Sequence, residues 1–181
     1  MRRAIVVPPV LAADALDELK RWLAITTTRD DASLEALLRA ALDTCEAFTR
    51  IMPLEAECEE VLPAMRGWQS LVATPVQAIT AMEAITSDSA RTPLDPGQYL
   101  LDIAADGCGR VHLLASPAVS RVSVRFTAGL APDWAGLPEG IRHGVLRLAA
   151  HHYRQRNEGG GQAPPAAVVA LWQPWRRMRV A

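Results

Sequence analysis

The side chains that could do chemistry are few and poorly spaced for it. His143 and His151 stand eight residues apart on one face of a helical stretch, with Arg147 between them. A metal pair on a helix wants histidines three or four residues apart, and an arginine between them would repel the cation. His151 and His152 are adjacent, so on a helix they point to different faces, one wet and one packed. His112 falls in an alternating strand pattern and reads as a surface residue. Glu57, Glu59 and Glu60 could be imagined as an acid–base pair, but a solvated acidic strand is the simpler reading. Asp102 and Asp106 flank a turn without the spacing of a calcium loop. Gly159, Gly160 and Gly161 lack the Lys-Ser/Thr of a phosphate loop and follow a helix instead of opening one. Cys45 lies in an apolar stripe. With Cys58 and Cys108 it makes three widely spaced cysteines and no CxxC, the pattern of reduced thiols in a cytosolic chain. No nucleophile–base pair is in view. The expectation is therefore no catalytic residue, no metal, no cofactor and no enzyme activity.

The concentrated signal is at the other end of the polarity scale. The chain closes on Leu171-Trp172-Gln173-Pro174-Trp175-Arg176-Arg177-Met178-Arg179. Residues 137–181 carry seven Arg against two acids, and residues 1–136 carry 12 basic against 18 acidic side chains, so the net charge of −1 hides a basic end on an acidic body. Such an end is built to dock. Two uses are open for it. The segment could pack on its own domain with arginine stems lying over it, or anchor another chain, since Trp and Arg dominate interface hot spots. Contact with nucleic acid is disfavoured by the acidic body.

The elements that must position this segment follow from hydrophobic periodicity. Half of the 181 residues are hydrophobic, enough for one domain with a buried core. Helices are expected at about 14–24, 31–51, 138–156 and 166–172. Asp14 and Asp31 are the candidate caps of the first two. In the second, Leu34, Leu37, Leu38, Ala41, Leu42, Cys45 and Phe48 form one apolar stripe, with Glu35–Arg39 and Glu46–Arg50 pairs on the wet side. The third opens at Pro138. Gly140 and Gly144 inside it cost about 1 kcal/mol each against Ala; their four-residue spacing would let another backbone approach closely, although two soft spots are the plainer reading. Residues from about 55 to 129 read as strands. Val122, Val124 and Phe126 alternate onto one face, and Tyr99–Ile103 and Val111–Leu114 flank a hairpin turn at 106–109. Residues 67–85 are ambiguous in period, and flanking Pro and Thr/Ser residues favour strands. The Met1–Val7 run is cut short by Pro8-Pro9, well below a signal-peptide core, and no stretch reaches the length of a membrane helix. The fold class is α+β: a helical core of two N-terminal helices, a long C-terminal helix and a short one, with a small antiparallel β region inserted.

An ordered set of short motifs runs along about residues 10–179. It comprises the helix pair with its Asp30-Asp31 junction, Arg125-Phe126-Thr127-Ala128-Gly129, Leu137-Pro138-Glu139-Gly140-Ile141, His151-His152-Tyr153-Arg154-Gln155-Arg156, and Leu171-Trp172-Gln173-Pro174-Trp175-Arg176. This set resembles the head–tail connector (adaptor) proteins of tailed bacteriophages and of phage-derived gene transfer particles; Trp175 stands where Tyr is the more usual residue. The resemblance implies a ring, usually dodecameric, beneath the capsid portal protein, with a downstream neck, stopper or tail protein on its other face. DNA would pass through the channel without specific binding, and no membrane is involved. The protein would sit in the neck of a virion or phage-like particle assembled in the host cytoplasm. It further implies portal docking by Trp172, Pro174, Trp175, Arg176, Arg177 and Arg179 in a tail spanning 171–181, a hinge at Gly159, Gly160 and Gly161, and ring contacts from the helical part, for which Arg142, Arg147, Tyr153 and Arg154 are the candidates. Competing readings are another neck or tail-completion protein, a small enzyme whose site forms only in three dimensions, and a DNA-binding regulator using the basic tail.

Overall fold

Apolar stripes of period 3.6 place four α-helices among the described residues, which in this computed structural model are 3–115, 119–155 and 163–177. They are α1 (Ala13–Leu23), α2 (Asp31–Thr49), α3 (Glu139–Arg154) and α4 (Ala166–Trp172). All four belong to one compact unit, Val10–Pro53 with Ala131–Ala181. From α2, Leu34, Leu38, Ala41, Leu42 and Cys45 are buried, while Leu37 and Phe48 of the same stripe are half-buried. Leu19 of α1 and Ile141, Val145, Leu148 and Ala149 of α3 complete the core. Trp134, which precedes α3 in the chain, is buried with its Nε1–H donating to Glu18 Oε2 at 2.8 Å.

The caps differ from expectation. Ala12 holds the N-cap of α1 with no side-chain bond, and Asp14 lies inside the first turn, where its charge complements the helix dipole without capping. Asp31 is the first residue of α2, and its carboxylate is taken by Lys20 Nζ at 2.7 Å. Lys20 sets a full positive charge against the carboxylate, where a cap would offer only backbone N–H groups. The expected Glu35–Arg39 pair forms at 2.5 Å.

The second compact unit, Met1–Pro9 with Leu54–Leu130, is built of strands. One antiparallel sheet has the order β1-β2-β8-β4-β5, from β1 (Arg3–Val7), β2 (Ala56–Pro63), β8 (Arg121–Ala128), β4 (Val76–Ile85) and β5 (Arg91–Pro93). A second has the order β3-β7-β6, from β3 (Gly67–Ser70), β7 (Gly109–Leu113) and β6 (Tyr99–Ile103). The α+β class holds, but the β region is not small. It is also not a simple insertion, because β1 comes from ahead of the helices. The short Arg3–Val7 run lacks alternation with polar residues, so periodicity gives no strand signal there.

Strand alternation behaves as expected on β8, where Val122, Val124 and Phe126 are fully buried. The β6–β7 hairpin pairs Tyr99 with Leu113 and Ile103 with Gly109. Its turn needs Gly107 at φ +77°, a left-handed conformation that disfavours a Cβ, and Asp106 Oδ1 accepts the Cys108 N–H at 2.9 Å.

The acidic strand is not solvated throughout. On β2, Cys58, Glu60 and Leu62 pair with Phe126, Val124 and Val122 and so share the buried face. Glu60 is fully buried and accepts the N–H of Val72 at 2.9 Å and that of Ala73 at 2.9 Å. A buried carboxylate held by backbone donors fixes the chain leading into β4. Glu59 points the other way. Arg91 donates to both of its oxygens at 2.8 Å, and Arg125 Nε approaches at 3.3 Å.

The hydrogen bond from Arg91, opposed by partial burial and aided by Arg125, holds the Glu59 carboxyl at about 2. An unfolded glutamate titrates at about 4.3. The folded value is the lower one, so the unfolded chain binds more protons in between. The stabilisation is therefore complete above about pH 5 and is lost as pH falls through about 2. Arg91 is well exposed, so screening limits the effect to about 1 kcal/mol at most. Thermal melts near neutrality and at about pH 2 should show the native chain losing more stability than Glu59→Gln, by up to that amount. Equal losses would show that the ion pair contributes nothing.

Candidate functional site

The two glycines inside α3 are explained by what lies on them. A Cβ added to Gly144 would stand 2.1 Å from Trp172 Nε1, and one added to Gly140 would stand 3.3 Å from the Leu171 carbonyl oxygen and 3.5 Å from Trp175 Nε1. The glycine face of α3 is therefore the seat of α4 and of the 3-10 turn Gln173–Trp175 that follows it. What approaches closely is an indole from the same chain. Trp172 is fully buried, its ring tilts against Phe48 at 6.1 Å, and Nε1 lies 3.4 Å from the Ile141 carbonyl oxygen.

This changes the role read for Trp172. In this conformation it is a core residue of its own unit and offers no surface to a partner. Its side chain is the largest on the apolar face of α4, and the missing Cβ of Gly144 leaves it a slot. The residues after it divide. Arg176 is exposed, with its guanidinium 5.4 Å from the Phe48 ring centroid. The Arg177 N–H donates to the Thr49 carbonyl at 3.0 Å. Helix α2 has no basic residue in its own last turn, and the Arg177 N–H satisfies one of the carbonyls at its negative end. Pro174 is exposed, and Trp175 and Arg177 are half-buried. Arg179 and the glycines Gly159, Gly160 and Gly161 lie outside the described residues.

The candidate ring-contact residues on α3 also divide. Arg142 donates to Glu139 at 2.6 Å and lies 3.9 Å from Glu18. The Tyr153 hydroxyl donates to Asp30 Oδ2 at 2.7 Å. Both side chains are thus held within the helical unit. Arg147 and Arg154 are exposed. Arg147 lies over the Trp22 ring at 5.9 Å, and His143 meets that ring edge-on at 6.0 Å. His151 and His152 are both half-buried, where one wet and one packed ring was expected; burial, and then the neighbouring His151, lower the pKa of His152.

Among the described residues, no group of three or more His, Cys, Asp or Glu is placed to hold a metal ion. Burial pushes the Cys45 thiol up to about 12, which leaves it inert as a nucleophile. No described helix is long and apolar enough to cross a membrane. The described part of the C-terminal segment, as far as Arg177, is laid along the helical unit.

Solved structures show what this fold is similar to. The chain is similar to a chain in the neck of an empty gene transfer agent (GTA) particle, computed with C6 symmetry, with a TM-score of 0.80 and 28% identity, covering 100% of this chain and 98% of that one. It is also similar to a chain in the neck of the native GTA particle, computed with C12 symmetry, at TM-score 0.78 and 28% identity, and to one in the virion of the native particle, at 0.77 and 29%, with the same coverage. No protein-family model matches the sequence, and no curated protein matches it significantly. The resemblance read from short motifs is thus joined by a likeness over the whole fold to chains of gene transfer agent necks.

Trp172→Ala should cost about 3–5 kcal/mol of stability. Gly144→Ala should also destabilise, although alanine is the better helix former by about 1 kcal/mol, because the added methyl must displace the indole at an overpacking cost of about 1–3 kcal/mol. In the Trp172→Ala background the same Gly144→Ala change should become neutral or stabilising. Chemical denaturation of the four proteins measures this cycle, and additive effects would show that the two residues do not share a slot.

Proposed function

We propose that this chain is a structural head–tail connector (adaptor) subunit of the neck of a phage-like particle. It assembles as a ring under the portal protein, links the portal to a downstream neck or tail protein, and leaves a channel through which DNA passes without specific binding. It catalyses no reaction. The observation that carries this reading is likeness over the full chain to chains from GTA necks computed with C6 and C12 symmetry. A ring subunit joins its neighbours through two different surfaces that close on themselves.

In this reading the docking element is the segment after Trp172. Pro174, Trp175, Arg176, Arg177 and Arg179 meet the portal, and Trp172 positions them from inside the subunit. The side chains of Pro174 and Arg176 are already at the surface. Fixing their base on Thr49 and Phe48 lowers the ordering cost of docking. Gly159, Gly160 and Gly161 serve as the hinge. Arg147 and Arg154, exposed on α3, remain the candidates for contacts between neighbours.

A truncation that tests the docking role must spare Trp172. Removal of residues 173–181 should leave a folded chain, weakened by the lost Arg177–Thr49 bond by about 1 kcal/mol. It should lose capture by a portal protein by tenfold or more. Arg176→Glu with Arg177→Glu should lose a similar amount, with the native interaction weakening as salt rises. If the truncated chain is captured at full strength by immobilised portal, the tail is not the docking element.

A further inference from the structure

Large apolar side chains are left exposed in two groups on the strand-built unit. On β1, Ile5, Val6 and Val7 are 44–51% exposed, and on β6 of the three-stranded sheet Leu100, Leu101 and Ile103 are 41–49% exposed. Both groups sit at sheet edges. β1 ends the five-stranded sheet and β6 ends the three-stranded one. Consecutive residues of a strand point to opposite faces, so exposure of neighbouring residues leaves both faces of each edge strand uncovered. Folded proteins usually blunt such edges with charge. β1 carries no charge beyond Arg3, and the single charge on β6, Asp102, is engaged by Arg110.

We propose that the β1 edge of one copy of this chain adds to the β6 edge of the next, so that copies join head to tail through a continuous sheet. The inference rests on the ring reading above and names the surfaces that close the ring. Three observations select a second copy as the occupant. The two edges match in length at five residues each. The exposed side chains on the two edges, Ile5, Val6 and Val7 on β1 and Leu100, Leu101 and Ile103 on β6, are all aliphatic, the kind of surface that folded proteins cover by assembly. The neck structures this chain resembles were computed with C6 and C12 symmetry. Pairing β1 with β1 would be isologous and would close as a dimer, whereas a cyclic ring needs two unlike edges that meet. Main-chain bonds across the new pair would set the affinity, and the apolar side chains the register.

Cysteine pairing in assembled particles tests this directly. Ile5→Cys, Val6→Cys or Val7→Cys is combined with Leu101→Cys in a Cys108→Ser chain; Cys45 and Cys58 are buried. All four introduced positions are exposed, and an unchanged melting temperature checks the fold. Adjacent strands bring Cα atoms within disulfide reach. At least one double variant should give a ladder of covalent oligomers on mild oxidation, and the corresponding single variants should give none. Covalent dimers from a β1 cysteine alone would overturn the proposal in favour of isologous pairing. Monomers only, in particles shown to contain the chain, would also overturn it while leaving the neck role standing, and would mean that these edges meet a different protein. Failure of the native chain to enter particles would sink both readings.

Discussion

The indole of Trp172 in the slot left by Gly144 is the contact on which the C-terminal part of the helical unit depends. Helix α4 has seven residues, too few to persist in water without tertiary support. It forms because one large side chain is taken out of water against α3 and Phe48. The two glycines that admit it weaken α3 by about 2 kcal/mol in total. Burying an indole returns several kcal/mol, so the exchange favours the docked arrangement. Its consequence is directional. Once Trp172 is seated, Arg177 meets the last carbonyls of α2 and Arg176 meets Phe48.

The strand-built unit depends on a constraint of the opposite polarity. Strict alternation along β2 turns Glu60 inward between Cys58 and Leu62. A carboxylate there would be expensive if unpaired. The backbone N–H groups of Val72 and Ala73 resolve this by converging on it, and the segment joining β3 to β4 is thereby tied to the central strands. Glu59, one residue earlier, takes the opposite face and pairs with arginines from β5 and β8. Two adjacent acids thus perform unlike tasks, and the difference comes from the pleat alone.

The legibility of these features from the residues alone follows their physics. The helices were readable because 3.6-residue stripes are long and local, and β8 and the β6–β7 hairpin because alternation and a Gly-containing turn are local as well. Asp31 misled because Lys20 is a partner that sequence distance conceals, and Asp14 because the helix begins one residue before it. Glu60 misled because its donors are twelve and thirteen residues away in a loop. In the tail, the Trp/Arg composition was visible and its division was not. Trp172 and Trp175 look equivalent in sequence, yet only the first falls opposite Gly144. The one readable clue was the spacing of Gly140 and Gly144, which announced a close approach without saying by what.

That division reconciles the two uses first open to the segment. A flexible tail of tryptophans and arginines would lose much of its binding energy to ordering. A tail whose tryptophan is already buried in its own subunit has met that cost during folding. The apolar part of the motif then works inward, and Arg176 is left at the surface, where the proposed docking role would use it. The same logic separates the arginines of α3. Arg142 is held by acids of its own unit, while Arg147 and Arg154 extend outward. A subunit that must present fixed charge to a neighbour gains from spending its aromatics on itself, because charge steers and orients an encounter only when the scaffold beneath it holds still.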